Sequence, residues 1–399
     1  MRARIEDYDV PPMPDASARG PDVTASWISP ENLDSDHLSA FTQALANVLS
    51  TDLADVTYAQ IIDGLPTRDS YSEFCTFYPA EGEHPAYNHR HLCDGVLDTT
   101  RHFRSRLDPL TLRFDPHVLQ AFQAESTASP KFLLRVVELL AVSLHEIAVH
   151  LFELHQGVHR GEYDKWWASW RQRHRDAEGF YKFHAVAFPP VPFYHNFYKA
   201  FDQYPRGRAN MVGYWAESKI LGGVALFNRG PSDLECNELL IHGSLREGPM
   251  TIYPLTNSQW HAFASFLTSD AAAAANMPCP LPLQATSQNL PRYTLYFAMK
   301  YQHIFRDRFA FRLPARFEFP DSRDISEVDY PEREDNDWVI THTLDRYQGK
   351  QIDEEEMARR IAVLHSCQPG NPYSQAQWPD EILKGEGKET RGNKNNVWY

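Results

Sequence analysis

Apolar positions divide the chain into regions of different period. Between Ser129 and Tyr163, Leu133, Val137, Leu140, Leu144, Ile147, Leu151, Leu154 and Val158 recur at spacings of three and four. That spacing predicts one long core helix opening at Pro130. Upstream, SPENLDSDHLSAFTQALANVLS puts Leu38, Phe41, Leu45 and Leu49 on one helical face, with Ser29-Pro30 or Asp36 as its start. YDKWWASWRQRHRDAEGFYKF reads as a further helix, and the three prolines of FPPVPFY then mark a boundary. Beyond Asp202 the period falls to two. MVGYWAESKI, GGVALFNRG, NELLIHG and MTIYPLT read as four short strands joined by glycine and proline turns. TNSQWHAFASFLTSD is a helix capped by Thr256 or Asn257, and the alanines from Ala271 to Ala275 read as loop. YTLYFAMKYQHIFRDRFAFRLP fits strand or helix, whereas the acidic stretch from Glu327 to Ser366 reads as helical. Residues 51–116 are mixed and place no motif.

Strands grouped between helical stretches predict an α+β fold: a largely helical N-terminal half packed with a small, mainly antiparallel sheet and C-terminal helices. The expected division is a flexible arm over 1–24, a helical part over 25–188, a sheet-containing part over 189–365 in one compact unit with it, and a flexible tail over 366–399.

Composition refines this outline. The 399 residues carry a formal charge of −14, so contact with nucleic acid or anionic membrane requires a local basic patch. Aromatic residues make up 13%, which suits stacking surfaces as well as an aromatic core. Five scattered cysteines without CxxC spacing point to reduced thiols, a cytoplasmic setting and no zinc site of cysteine type. The N-terminus has no signal-peptide pattern, and no run is apolar enough to span a bilayer.

Motifs exclude several chemistries. P-loop, GxGxxG, GxSxG and HExxH patterns are all missing. HEIAVHLFELHQGVH invites a metal reading through Glu146, His150 and Glu153, but the spacing is not the ExxH of di-iron bundles, and a polar helix face explains it as well. Between Arg160 and Arg175, Lys165, Arg171, Arg173 and Arg175 interleave with Trp166, Trp167 and Trp170; Arg206 and Arg208 follow in YPRGR. Such a segment grips phosphates and stacks on bases, or is a solvated cationic face with core-facing tryptophans. Downstream, strand alternation sets Tyr214 on one side and Trp215, Glu217 and Lys219 on the other. The next loop delivers Asp233, Glu235 and Glu238. Either Arg229 and Lys219 neutralise those carboxylates, or a cationic ligand such as a guanidinium does.

GYWAESKILGGVALFNRGPSDLECNELLIHG, the preceding YHNFYKAFDQYPRGRANMVG and the overall size resemble the fungal arginine-containing cyclodipeptide synthases, over about residues 25–365. That family has an acidic DDxxE-type motif. Here the nearest matches are SDLECNE, with Asp233, Glu235 and Glu238, and RDISE, with Asp324 and Glu327. The resemblance implies transfer from arginyl-tRNA to a second aminoacyl group and closure to a 2,5-diketopiperazine. Aminoacyl-tRNAs would be the partners, and no cofactor or membrane is implied. An activated ester needs no ATP site, only orientation, oxyanion donors and a base. Residue chemistry makes Glu217 the candidate base and Tyr214 or Arg229 the oxyanion donor. Asp233, Glu235, Glu238 and Trp215 are the candidate substrate contacts, and Lys165, Arg171, Arg173, Arg175, Arg206 and Arg208 those to tRNA. A metal-dependent oxygenase or hydrolase and a non-catalytic interaction protein are the alternatives.

Overall fold

The computed structural model describes residues 27–75, 84–154, 157–173, 188–306, 327–368 and 371–374. Helices fill the first half. Ser29 caps a single 3-10 turn, and the helix α1 (Ser35–Leu49) starts separately, with Asp34 accepting the His37 N–H. Neither Ser29 nor Asp36 is its cap. The stretch that carried no motif folds into α2 (Asp52–Asp63), α3 (Arg68–Phe74), α4 (Pro85–Asn88) and α5 (Val96–Arg106), followed by α6 (Pro116–Ala124). Thr51 and Thr67 cap α2 and α3, and Gly64, at φ 94°, ends α2 in the left-handed conformation that glycine tolerates.

The expected long helix is α7 (Phe132–Glu153). It begins after Pro130 and ends before Leu154 and Val158. From Leu134 to Leu151 nearly every side chain is buried, because α7 packs against α1, α2, α6 and α9 (Arg208–Leu221). Between them lies α8 (Glu162–Arg173).

MVGYWAESKI is not a strand. It lies within α9, whose residues from Ala209 to Ser218 are all buried and whose end is a left-handed Gly222. A helix surrounded by protein is apolar on every face, so its period is hidden and its Tyr, Trp and Val mimic a strand. The sheet therefore consists of β1 (Val224–Asn228), β2 (Leu239–His242), β3 (Ile252–Pro254) and β4 (Ile304–Phe305), antiparallel in the order β3-β2-β1-β4. Between β3 and β4 come α10 (Asn257–Thr268), α11 (Ala271–Asn276) and α12 (Leu295–Tyr301). Thr256 caps α10 in a capping box with Gln259, and the alanine run expected to be loop is helical because Asp270 caps it. The undecided segment supplies both α12 and β4, while its residues from 307 onward lie outside those described. The acidic C-terminal stretch forms α13 (Arg333–Tyr347) and α14 (Glu354–Ser366), separated at Gly349.

The fold is thus α+β. One apolar core runs from Phe41 on α1 to Ile304 on β4 and joins the helices to the sheet. Among the described residues no helix is long and apolar enough to cross a membrane. The expected arm over 1–24 and most of the tail lie outside the described residues.

Candidate active site

The acidic loop between β1 and β2 does not form a shared anionic pocket. Asp233 pairs with His303, with Oδ1 2.6 Å from Nδ1. Glu235 accepts from Asn237 Nδ2 at 2.8 Å and Ser232 Oγ at 3.4 Å, and Glu238 is exposed. The expected neutralising cations are engaged elsewhere. Lys219 reaches Glu73 at 2.6 Å. Arg229 donates to Glu138 Oε1 at 2.6 Å and to the carbonyls of Phe305 and Arg306 at 3.1 and 2.8 Å. Arg135 grips the other Glu138 oxygen at 2.7 Å and donates to the Leu234 carbonyl. This buried Arg-Glu-Arg set ties α7 to β4 and to the loop, so Arg229 is a structural tie and not an oxyanion donor. Cys236 lies beneath, its thiol pushed up to about 12 by burial and by Glu138. That makes it a poor nucleophile.

The chemistry that the loop lacks is gathered on α9. Asn210, Gly213, Tyr214 and Glu217 are spaced three, four and seven apart and face His145 of α7. Gly213 permits the approach, since a Cβ there would meet the His145 ring at 2.6 Å. Glu217 is wholly buried, accepting the Ala225 N–H on Oε1 at 2.7 Å and Arg306 Nη1 on Oε2 at 2.5 Å. Burial raises its carboxyl while Arg306 opposes the shift, and the net direction is upward. Against the cost of burial, Glu217 and Tyr214 hold the Arg306 guanidinium above its ordinary value. That guanidinium sits 5.2 Å over the Tyr214 ring.

His145 completes the group. Asn210 Nδ2 lies 2.9 Å from its Nε2; with the amide donating, the imidazole proton belongs on Nδ1. Nδ1 is 3.9 Å from Glu217 Oε2 and has no hydrogen-bond partner among the described residues. Burial, and then Arg306 and Arg206, push the imidazole well below its usual range, so it is neutral. Tyr214 stacks on Tyr198 at 4.4 Å, and Tyr198 Oη lies 3.1 Å from His242 Nδ1. The result is a carboxylate, a neutral imidazole, a guanidinium and tyrosines in a dry setting. Such a set can accept a proton and stabilise an oxyanion.

Other expected residues separate from this group. Trp215, on the opposite side of α9, packs edge-on against Phe193 in the core, away from this group. On α8, Tyr163, Trp166 and Trp170 face inward around His84 and Phe188, while Lys165 and Arg173 are exposed. Arg171 and Arg208 lie over the Trp167 ring at 4.5 and 5.2 Å. Arg206 is held by Glu153 through two contacts and approaches Glu146 at 3.8 Å, and it belongs to the protein interior more than to a phosphate surface. Arg175, His155 and Asp324 lie outside the described residues. Among the described residues Glu146, His150 and Glu153 form no ligand set: Glu153 serves Arg206, and His150 stacks on Phe103. The described metal-ligating side chains that do converge are elsewhere, at Asp63, His89, Cys93 and His159.

Sequence reasoning singled out Glu217 and Tyr214 but missed Asn210, His145 as their partner, and Arg306. Only a helical reading of 208–221 aligns Asn210 with them, and Arg306 arrives 89 positions later. Comparison with protein-family models, curated proteins and solved structures finds no match.

Proposed function

We propose that the chain is a tRNA-dependent aminoacyltransferase that joins arginine from arginyl-tRNA to a second aminoacyl group and closes an arginine-containing 2,5-diketopiperazine. The observation that carries this reading is the buried Glu217, bound to Arg306 and facing a neutral His145 whose Nδ1 has no hydrogen-bond partner among the described residues. The resemblance of residues 194–243 gives the substrate class, and the α8 face with Lys165, Arg171 and Arg173 supplies cationic and aromatic groups suited to RNA.

In the first step the amine of one aminoacyl group attacks the ester carbonyl of the other. A C–N bond forms, the ester C–O bond breaks, and one tRNA leaves with its terminal hydroxyl. The proton lost by the amine passes to Glu217, which returns it to the departing tRNA oxygen, while His145, held on Nε2 by Asn210, turns its Nδ1–H toward Glu217 Oε2. In the second step the free amine of the dipeptidyl ester attacks the remaining ester carbonyl, closing the ring and releasing the second tRNA. Arg306 and Tyr214 stabilise the charge on each tetrahedral oxygen. Asp233, Glu235, Glu238, Arg229 and Trp215 have no role in this scheme.

The test is reconstitution with arginine, the other amino acids, tRNA, synthetases and ATP, followed by mass spectrometry. An arginine-bearing diketopiperazine that disappears after RNase treatment supports the reading. Product that survives RNase, or none with every amino acid supplied, overturns it.

A further inference from the structure

Four stretches of the chain meet where α2 ends. Asp63 closes α2, His89 and Cys93 lie between α4 and α5, and His159 stands between α7 and α8. One ligand atom from each lies within 4.8 Å of all the others. His89 Nε2 is 3.1 Å from Asp63 Oδ2, and Cys93 Sγ is 3.3 Å from His159 Nε2. Ligand atoms on a tetrahedral zinc ion stand about 3.3–3.7 Å apart, so little movement would be needed.

The orientation of the two imidazoles is informative. His89 Nδ1 lies 3.0 Å from the Pro66 carbonyl, and His159 Nδ1 lies 3.2 Å from Glu162 Oε1. Each ring therefore donates its Nδ1–H outward and turns its Nε2 lone pair to the centre, the outer-shell pattern of metal-bound histidines. The His89 Nε2 lone pair then faces the Asp63 carboxylate, a repulsion that a metal ion or a proton between them relieves, and His159 Nε2 faces the Cys93 sulfur. Asp63 adds to this. Its side chain is wholly buried; Oδ2 accepts the Cys93 N–H at 2.9 Å, while Oδ1 has no hydrogen-bond partner among the described residues. A carboxylate oxygen so placed is costly without a positive partner.

The backbone is drawn tight around the group. The His159 N–H donates to the Asp63 carbonyl at 3.0 Å, and the Arg68 N–H to the His89 carbonyl at 2.7 Å. Gly157, at φ 138°, lies so close that a Cβ would meet the Ile62 carbonyl oxygen at 2.4 Å.

We propose that the Asp63 carboxylate, His89 Nε2, Cys93 Sγ and His159 Nε2 bind one zinc(II) ion. Four protein ligands leave no open position, so the ion is structural and pins the α7–α8 turn to the end of α2. A chain without aminoacyltransferase activity would bind it equally. The donor set of two imidazoles, a thiolate and a carboxylate suits zinc more than calcium or magnesium.

The test uses the full chain, reduced and without a histidine tag. Mass spectrometry of the purified protein is expected to find one zinc per chain. Cobalt(II) added to metal-stripped protein is expected to give a thiolate-to-cobalt charge-transfer band and tetrahedral visible bands. Cys93→Ala should lose the charge-transfer band, whereas Cys279→Ala, at an exposed position, should keep it. Glu162→Gln, which removes an exposed charge from the outer-shell contact of His159, should weaken zinc affinity by about 10-fold or more. Wild-type protein that takes up neither zinc nor cobalt, or a charge-transfer band unchanged in Cys93→Ala, would overturn the assignment.

Discussion

Replacing Glu217 by Gln keeps the acceptor for the Ala225 N–H but removes the charge opposite Arg306. The carboxylate is fully buried and the guanidinium nearly so, with 0% and 11% of their side chains exposed. With charge centres about 4 Å apart and an effective dielectric constant of about 20, the lost attraction is about 4 kcal/mol. Breaking a buried pair from one side is known to cost about 3–5 kcal/mol, since the other charge stays behind. Glu217→Gln is therefore expected to lose about 4 kcal/mol in urea unfolding. Glu217→Gln/Arg306→Met removes both charges and should recover most of that loss, because a buried ion pair exchanged for uncharged groups is often near neutral. Activity should not recover. Removing the group that takes the amine proton should reduce diketopiperazine formation by about 10²–10⁴-fold in both variants. Unfolding and product formation measured on the same preparations separate the two effects. A double variant that makes product at the wild-type rate would refute the assigned role. Unchanged stability in the single variant would refute the coupling itself.

Further outcomes follow from neighbouring geometry. Gly213→Ala sets a methyl group 2.6 Å from three atoms of the His145 ring, and overpacking of this kind should cost about 1–3 kcal/mol and reduce product formation at least about 10-fold, read by melting and turnover. Lys165→Glu with Arg173→Glu, at exposed positions on α8, should leave stability unchanged, weaken binding of all tRNAs and make its salt dependence shallower by about two phosphate contacts. The Asp34 carboxyl is held down to about 2, first by the His37 N–H and then by the His37 ring. A depressed carboxyl stabilises the fold above its ordinary value and loses that contribution as pH falls, here between about 4 and 2. Asp34→Asn retains a capping side chain but should flatten that acid limb in thermal melts.

Local signals in the sequence were legible where one chemical cause dominated. Thr256 and Gln259 announce α10 through the capping box, and the leucines of α7 mark a core helix. The same logic failed for α9, because burial on every side erases the polar face on which a helical period depends. Reading it as a strand set Tyr214 and Glu217 on opposite sides, whereas α9 directs both toward His145. The acidic loop misled for a different reason. Charges adjacent in sequence suggest a shared ligand, yet Asp233 finds His303, and Arg229 finds Glu138 on α7. Such partners lie 70 or more positions away, and no local spacing encodes them. The converging set of Asp63, His89, Cys93 and His159 escaped for the same reason, since only His89 and Cys93 are close in the chain.

The most direct test of the central claim uses tRNA charged beforehand. Purified protein receives radiolabelled arginyl-tRNA and a second aminoacyl-tRNA, with neither ATP nor synthetase. Labelled diketopiperazine is expected from wild-type protein, with a loss of about 100-fold or more in the Glu217→Gln/Arg306→Met variant. No product from any charged pair, or equal product from that variant, would contradict the claim.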